Sequence, residues 1–362
     1  MCESVQRLGM RAAVLREYGE PLEIEDVERP DPDSDGVVIE TEACGICRSD
    51  WHAWQGDWDW IGAKPPRGQI LGHEPAGRVA KVGEDVTRVR EGDRVAVPFN
   101  LSDGTCPECR AGHSNVCENL LPLGFAEAAP GAFAEEVHVP AADQNVVTLP
   151  DGVSPVTMAG LGCRFVTAFH GLVHRADVEA GDWVAVHGCG GVGLSAVHVA
   201  DAVGANVVAV DLTDEKLGKA EELGADETVN AAEAENVPRA VMALTDGGAH
   251  VSVDALGIAE TCRNSVRCLR RRGQHVQIGL TSQDEQGTVG LPTDAMVMKE
   301  VEFLGSFGMQ PPRYDEIFRM VETGTLDPSA VVSETVTLDD VSDRLAAMSD
   351  YETAGIPVVD EF

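Results

Sequence analysis

The sequence predicts an α/β protein in two parts: a compact, barrel-like, mainly β part and a doubly wound parallel sheet. Three observations carry that expectation. From about residue 10 to 147, short alternating stretches are broken by glycine and proline, with no long helical period. Beyond Pro155, apolar runs alternate with helical stretches, the pattern of strands buried on both faces of a parallel sheet. Between the first run and its helix stands Gly188-Cys-Gly190-Gly191-Val192-Gly193, a turn suited to opening such a sheet. We place the mainly β part at residues 10–156 and 305–362, the parallel sheet at 157–304, and an extension at 1–9.

In the first part, residues 37–39, 77–82 and 93–97 read as strands, punctuated by Gly83 and Gly92. In the second, the expected strands are 183–187, 206–211, 227–229, 250–254, 274–278 and 301–304, with a helix over 193–203 following the glycine turn. After Gly305 the pattern gives helices over 314–322 and 338–349 and a strand over 356–360. That segment is too small for a domain, so it is expected to rejoin the first part.

A lone G-x-G-x-x-G is a weak signal, but here it joins an apolar strand to a helical pattern. Gly188 permits the tight turn, Gly190 lets a pyrophosphate approach, and Gly193 lets helix and sheet pack closely, continued by Ala196, Val197 and Ala200. The second strand ends in Asp211, 18 residues after Gly193, where a carboxylate can bind both ribose hydroxyls of NAD. A 2′-phosphate would meet that charge, so NAD is favoured over NADP. The plainer alternative is that the glycines serve only a turn.

Metal chemistry is concentrated in the first third. Cys44-Gly-Ile-Cys47-Arg48-Ser49-Asp50-Trp-His52 combines a soft ligand, a hydroxyl, a carboxylate and an imidazole. Alone it is equally a redox Cys-x-x-Cys pair or half of a structural zinc site. His73 follows Cys47 by 26 residues and could be a second ligand, and Asp50 is suited to accept its other ring N–H. Further on, Asp103, Cys106, Cys109 and Cys117 offer one oxygen and three thiolates, with the Cys-x2-Cys step that lets backbone N–H groups support two thiolates on one zinc. Zinc is favoured over a disulfide there.

Charge excludes some partners. The 362 residues carry 61 acidic and 27 basic side chains, a formal charge of −34, and only Lys64, Lys81, Lys216, Lys219 and Lys299 are lysine. Such a surface repels nucleic acid and anionic membranes in dilute buffer. In molar salt the Debye length falls to roughly 3 Å and self-repulsion is screened. The acid is scattered rather than gathered in one tail, so a halophile's folded protein is expected. No apolar run reaches membrane-span length and no basic-then-apolar leader is read, which gives a cytoplasmic expectation.

Cys47, His73, the four-residue zinc lobe and the glycine turn, in that order, resemble the zinc-dependent medium-chain alcohol dehydrogenases, from Met10 to the C-terminus. The segment Gly-Ile-Cys47-Arg48-Ser49-Asp50-Trp-His52-Ala-Trp54 is similar to the yeast-type members, Gly72-His73-Glu74 to the second-ligand motif, and Gly-Cys163-Arg-Phe-Val-Thr167 to the third-ligand segment. The resemblance implies a GroES-like mainly β catalytic domain, a Rossmann domain, and a catalytic zinc on Cys47, His73 and Cys163. It implies that Ser49 hydrogen-bonds the alcohol, that His52 carries its proton to solvent, and that Glu74 lies behind the metal. Arg48 is implied to contact the cofactor's pyrophosphate and Lys216 the adenosine ribose. Thr167, Val192, Ile278 and Leu280 would neighbour the nicotinamide, and Trp58 and Phe99 would narrow the pocket for the alcohol, aldehyde or ketone. Cys44 then becomes packing, and pairing through the sheet edge near 301–307 gives a homodimer or homotetramer.

Two departures stand out. Asp103 replaces the first structural cysteine of most members, and Ile356 stands where many carry an arginine on the pyrophosphate. Losing that cation weakens dinucleotide binding by about 1–3 kcal/mol unless another group substitutes. The competing functions are a polyol or sugar dehydrogenase of the same superfamily, disfavoured by Cys163 and the Trp54, Trp58 and Trp60 cluster, and a non-catalytic dinucleotide-binding relative, disfavoured because Cys47, Ser49, His52, His73 and Cys163 are all present.

Overall fold

The computed structural model describes residues 9–349 and 354–362. Of the extension expected at 1–9, residues 1–8 lie outside that range, and Gly9 already belongs to the first strand, Gly9–Leu15.

The first part is built on a mixed sheet. Its centre is Val37–Gly45, paired antiparallel with Glu74–Val82 on one side and Ile356–Glu361 on the other. Opposite residues include Gly45 with Glu74 and Gly45 with Val358, so the C-terminal strand is threaded into the sheet that carries the first metal motif. Val332–Thr337 closes that edge, parallel to Ile356–Glu361. A small three-stranded sheet of Glu23–Glu28, Gly9–Leu15 and Gln69–Ile70 lies alongside.

The second part is a six-stranded sheet with every neighbouring pair parallel. Its spatial order is Glu227–Asn230, Asn206–Asp211, Trp183–His187, Ala249–Asp254, Leu269–Gln277 and Glu302–Gly305. Strand order reverses between Trp183–His187 and Ala249–Asp254, and the crevice at the carboxyl ends there is where doubly wound sheets take ligands. Val184, Val186, Val207, Val251 and Val253 are all buried, consistent with helices on both faces.

One apolar core crosses between the two sheets. It runs from Ala43 and Ala76 through Met158, Phe165 and Phe169 to Val184, Val197 and Val253. The helix Cys163–Phe169 sits in it, with every residue from Arg164 to Phe169 buried, and is thereby fixed between the metal motifs and the glycine turn. Among the described residues no helix is long and apolar enough to cross a membrane.

Candidate active site and metal centres

The first site forms where the strand Val37–Gly45 ends and the helix Arg48–Gln55 begins, with Cys47 at the junction. One oxygen of Asp50 accepts the backbone N–H of Cys47 at 2.9 Å. The other accepts Gly72 N–H at 3.1 Å and lies 2.8 Å from His73 Nδ1. A carboxylate only accepts, so Nδ1 carries a hydrogen; against the downward push of burial, Asp50 and Cys47 hold the His73 pKa well above the ordinary histidine value, and a metal taking Nε2 would displace the second proton. That Nε2 is buried and has no hydrogen-bond partner. An unpaired buried nitrogen costs about 1–3 kcal/mol, and what surrounds this one accounts for it. Ligand atoms of Cys47, His73, Glu74 and Cys163 lie within 4.8 Å of one another. Two soft sulfurs and an oriented imidazole fit a zinc ion.

The electrostatics agree. Cys47 is held well below the ordinary thiol range: burial pushes it up, and hydrogen bonding with Cys163, the Arg164 charge and His73 outweigh that. Burial pushes Glu74 up to about 7 against the pull of Arg164, whose guanidinium Nη2 donates to Glu74 Oε2 at 2.8 Å. Cys44 is wholly buried with its thiol toward the Gly45 carbonyl, a packing residue and a free thiol.

Beside the cluster, Ser49 is half-buried in the first turn of Arg48–Gln55. His52, one turn on, places Nδ1 3.0 Å from Asp57 Oδ2 and stacks on Trp58 at 4.6 Å between ring centres. Burial lowers its pKa below the ordinary histidine value, although Asp57 pulls upward. Aromatic rings wall this space: Phe99 meets His73 edge-on at 5.8 Å, Phe125 meets His73 at 5.5 Å and Trp58 at 6.1 Å, and Phe307 meets Phe99 at 5.3 Å.

The glycine turn lies at the carboxyl end of Trp183–His187. Gly188 has φ of +92°, a conformation side-chain-bearing residues avoid. At Gly193 an added Cβ would lie 1.7 Å from the Gly188 carbonyl, whereas at Gly190 it would meet nothing within 4 Å. Gly190 thus leaves open space at the start of Gly191–Ala202, whose first N–H groups favour an anion. Asp211 ends the neighbouring strand and accepts Cys189 N–H at 2.7 Å and Leu212 N–H at 2.8 Å, so its carboxylate is held against the turn. This fits the phosphates and ribose of a dinucleotide.

Lys216 is half-buried in Asp214–Glu222, the helix after Asp211, and Val192 is half-buried at the glycine turn. Thr167 is tied down by its bond to the Cys163 carbonyl at 2.5 Å and by Gly308 N–H at 3.2 Å. Ile278 is buried, while Leu280 is largely exposed. The Arg48 guanidinium lies 3.7 Å over the Trp51 ring and bonds the Met348 carbonyl.

The second cluster gathers Asp103, Cys106, Cys109 and Cys117, again with ligand atoms within 4.8 Å of one another. Cys106 and Cys117 sulfurs are 3.9 Å apart, and all three cysteines are free thiols. Backbone N–H groups point at sulfur from Cys109 to Cys106 at 3.4 Å, and from Asp103 and Asn119 to Cys117 at 3.5 and 3.4 Å. Asn119, Thr105 and Cys106 hydrogen-bond the Asp103 carboxylate and hold it well below the usual range. An ionised oxygen and three sulfurs, two of them supported by backbone N–H groups, fit a tetrahedral zinc.

Sequence reasoning missed Asp57, Phe125, Phe307 and Arg164. Arg164 carried the most visible signal, a charge inside an otherwise apolar run.

Fold and site together fit the class of zinc-binding dehydrogenases, and comparison with known proteins agrees. Residues 33–151 match the alcohol dehydrogenase GroES-like domain and residues 191–323 the zinc-binding dehydrogenase family. An alcohol dehydrogenase of Moraxella sp. (strain TAE123) is 40% identical over 277 residues, covering 76% of this chain and 79% of its own. An NAD-dependent alcohol dehydrogenase of Sulfurisphaera tokodaii is 32% identical, over 97% and 99% of the two chains. The crystal structure of the alcohol dehydrogenase from Aeropyrum pernix superposes with a TM-score of 0.85 at 32% identity, over 97% and 99%. The chain belongs to the zinc-dependent medium-chain alcohol dehydrogenase family, with a GroES-like domain and a Rossmann-type domain.

Proposed function

We propose that this protein is a zinc- and NAD-dependent alcohol dehydrogenase, moving a hydride reversibly between a primary or secondary alcohol and NAD to give an aldehyde or ketone. The observation that carries this reading is the buried Nε2 of His73, without a hydrogen-bond partner and gathered within 4.8 Å with the sulfurs of Cys47 and Cys163. Cys47, His73 and Cys163 would hold the catalytic zinc, with Glu74 behind it. A zinc there would act as a Lewis acid, making a bound alcohol acidic near neutral pH. NAD would supply the hydride acceptor.

The chain's own residues do the positioning and proton work. Asp50 fixes two ligands at once through Cys47 N–H and His73 Nδ1. Ser49 hydrogen-bonds the substrate hydroxyl. His52, neutral because burial lowers its pKa, accepts the released proton on Nε2 while Asp57 holds Nδ1. Trp58, Phe99 and Phe125 exclude water and favour small or aromatic alcohols. Gly188, Gly190, Gly191, Val192 and Gly193 form the dinucleotide cradle. Asp211 favours NAD over NADP.

In the same reading, residues 10–156 and 305–362 form the catalytic domain and 157–304 the NAD-binding domain. Asp103, Cys106, Cys109 and Cys117 hold a structural zinc. Glu302–Gly305 is the edge strand of the parallel sheet, and exposed Val297, Met298, Phe303 and Phe307 near it support a homodimer or homotetramer. The acidic surface supports a halophile's cytoplasm, and a melting temperature that rises from low to molar potassium chloride would bear that out.

The test is kinetics in molar salt across an alcohol panel with NAD and NADP, with zinc counted per chain. Cys47→Ser should abolish turnover and leave NADH binding measurable; retained turnover refutes the assigned role. Activity on sorbitol or glucose but not on simple alcohols would replace this reading with the polyol one.

A further inference from the structure

We propose that Arg164 is a dinucleotide-binding residue: one edge of its guanidinium holds Glu74, and the rest takes the pyrophosphate at the start of Gly191–Ala202. This rests on the NAD reading above and adds a cation that neither the sequence motifs nor the family resemblance assigns.

Arg164 is 4% exposed, yet its guanidinium has one bonded anion, Glu74, through Nη2 at 2.8 Å. A guanidinium offers five N–H donors in a fixed fork. The Arg164 Nε is buried without a partner. The side chain crosses the glycine turn: a Cβ on Gly191 would lie 2.7 Å from Arg164 Cδ, 3.1 Å from Nη1 and 3.4 Å from Nε. The unspent donors therefore face the first residue of a twelve-residue helix. A helix N-terminus carries partial positive charge and unsatisfied N–H groups. A buried cation against it is unfavourable unless an anion lies between them, and Gly190 keeps the adjoining space open. A pyrophosphate is an anion of the right kind, able to accept the guanidinium fork and the helix N–H groups together. Ile356, buried and apolar, offers no alternative cation.

The arrangement also joins two sites. Arg164 follows Cys163 directly, and its partner Glu74 follows His73, so both neighbours of the arginine's charge pair belong to the first metal cluster. A dinucleotide drawing on the guanidinium would be felt at Glu74.

The experiment uses the full-length, zinc-loaded protein in molar potassium chloride. Dissociation constants for NADH, by fluorescence, and for ADP-ribose, by competition, are measured for wild type, Arg164→Met, Glu74→Gln and the double variant. ADP-ribose keeps the pyrophosphate and lacks the nicotinamide, so its affinity is independent of turnover. Arg164→Met alone orphans a buried carboxylate and risks the fold; the double variant removes both charges and avoids that. The expected result is ADP-ribose binding weakened about 10- to 100-fold in the double variant, and binding at least as tight as wild type in Glu74→Gln. A double variant that binds ADP-ribose within about twofold of wild type overturns the proposal, making Arg164 only the counter-ion of Glu74. A wild type that binds no NADH sinks the NAD reading instead, so the two failures are distinct.

Discussion

Replacing Asp50 by asparagine tests the frame of the first metal site. The carboxylate accepts from Cys47 N–H at 2.9 Å, Gly72 N–H at 3.1 Å and His73 Nδ1 at 2.8 Å, all buried. Asparagine keeps one acceptor oxygen. If that oxygen stays on His73 and Gly72, the new NH2 faces the Cys47 N–H, donor against donor. If the amide flips, the NH2 faces His73 Nδ1 and drives the hydrogen onto Nε2, removing the lone pair a metal needs. The first arrangement is the milder and loses one charge-assisted bond, about 1.5–3 kcal/mol. At 1.4 kcal/mol per decade, that weakens zinc affinity roughly 10- to 100-fold, in the range known for outer partners of metal-bound histidines. Competition with a chromophoric chelator should show one of two zinc ions released early, with kcat/KM falling in step. Zinc release and kcat/KM both within about twofold of wild type would refute the reasoning and leave Asp50 a helix cap.

Three further outcomes are expected. Asp57→Asn removes the upward pull on His52, so the His52 pKa falls further; the acid limb of the pH profile for alcohol oxidation should move to lower pH, with kcat down roughly tenfold because a weaker base accepts the proton. An unmoved limb would mean another group is titrating. Asp103→Ala should drop the zinc count from two to one and lower the melting temperature while NADH still binds, whereas Asp103→Cys should keep two; equal counts in both would take Asp103 off the metal. Burial holds His187 down at about 3, below the roughly 6.5 of an unfolded histidine. The unfolded chain therefore binds the extra proton between those values, and stability is lost as pH falls from 6.5 toward 3, by up to roughly 4 kcal/mol. His187→Val should flatten that slope by about one proton in urea melts from pH 7 to 4, and an unchanged slope would show that the acid sensitivity lies elsewhere.

The parallel sheet was legible because burial on both faces writes near-continuous valine and alanine runs, and the expected strands at 183–187 and 206–211 agree with Trp183–His187 and Asn206–Asp211. The expected strand at 274–278 was cut short. The observed Leu269–Gln277 enters through Arg270, Arg271 and Arg272, and Arg272 has φ of +60°, so charge and an irregular backbone disguised it. The Asp103 to Cys117 lobe was legible because the four residues the fold gathers are local in sequence, and the Cys47 to His52 segment because it packs a thiol, a hydroxyl, a carboxylate and an imidazole close together. Cys163 was not: in an apolar helix a cysteine reads as a small buried hydrophobe, and only the resemblance singled it out. Asp57 and Phe125 reach His52 and His73 through a turn and a loop that no periodicity announces, and the Arg164–Glu74 pair spans 90 residues.

Two of the missed residues, Cys163 and Arg164, share one short helix, which bears on how the two halves of the site communicate. Cys163–Phe169 is under two turns long, yet each of its polar groups reaches a different structure. Cys163 reaches the metal cluster, Arg164 reaches Glu74 and lies across Gly191, and Thr167 bonds Ser306 and Gly308 beyond the edge strand. Its apolar groups are locked in the core that crosses between the sheets. Such a segment cannot yield at one end without displacing the other, because a close-packed interior transmits strain rather than absorbing it. Substitutions at Arg164 and Thr167 should therefore be non-additive in their effect on dinucleotide affinity, as expected for neighbours sharing one rigid element.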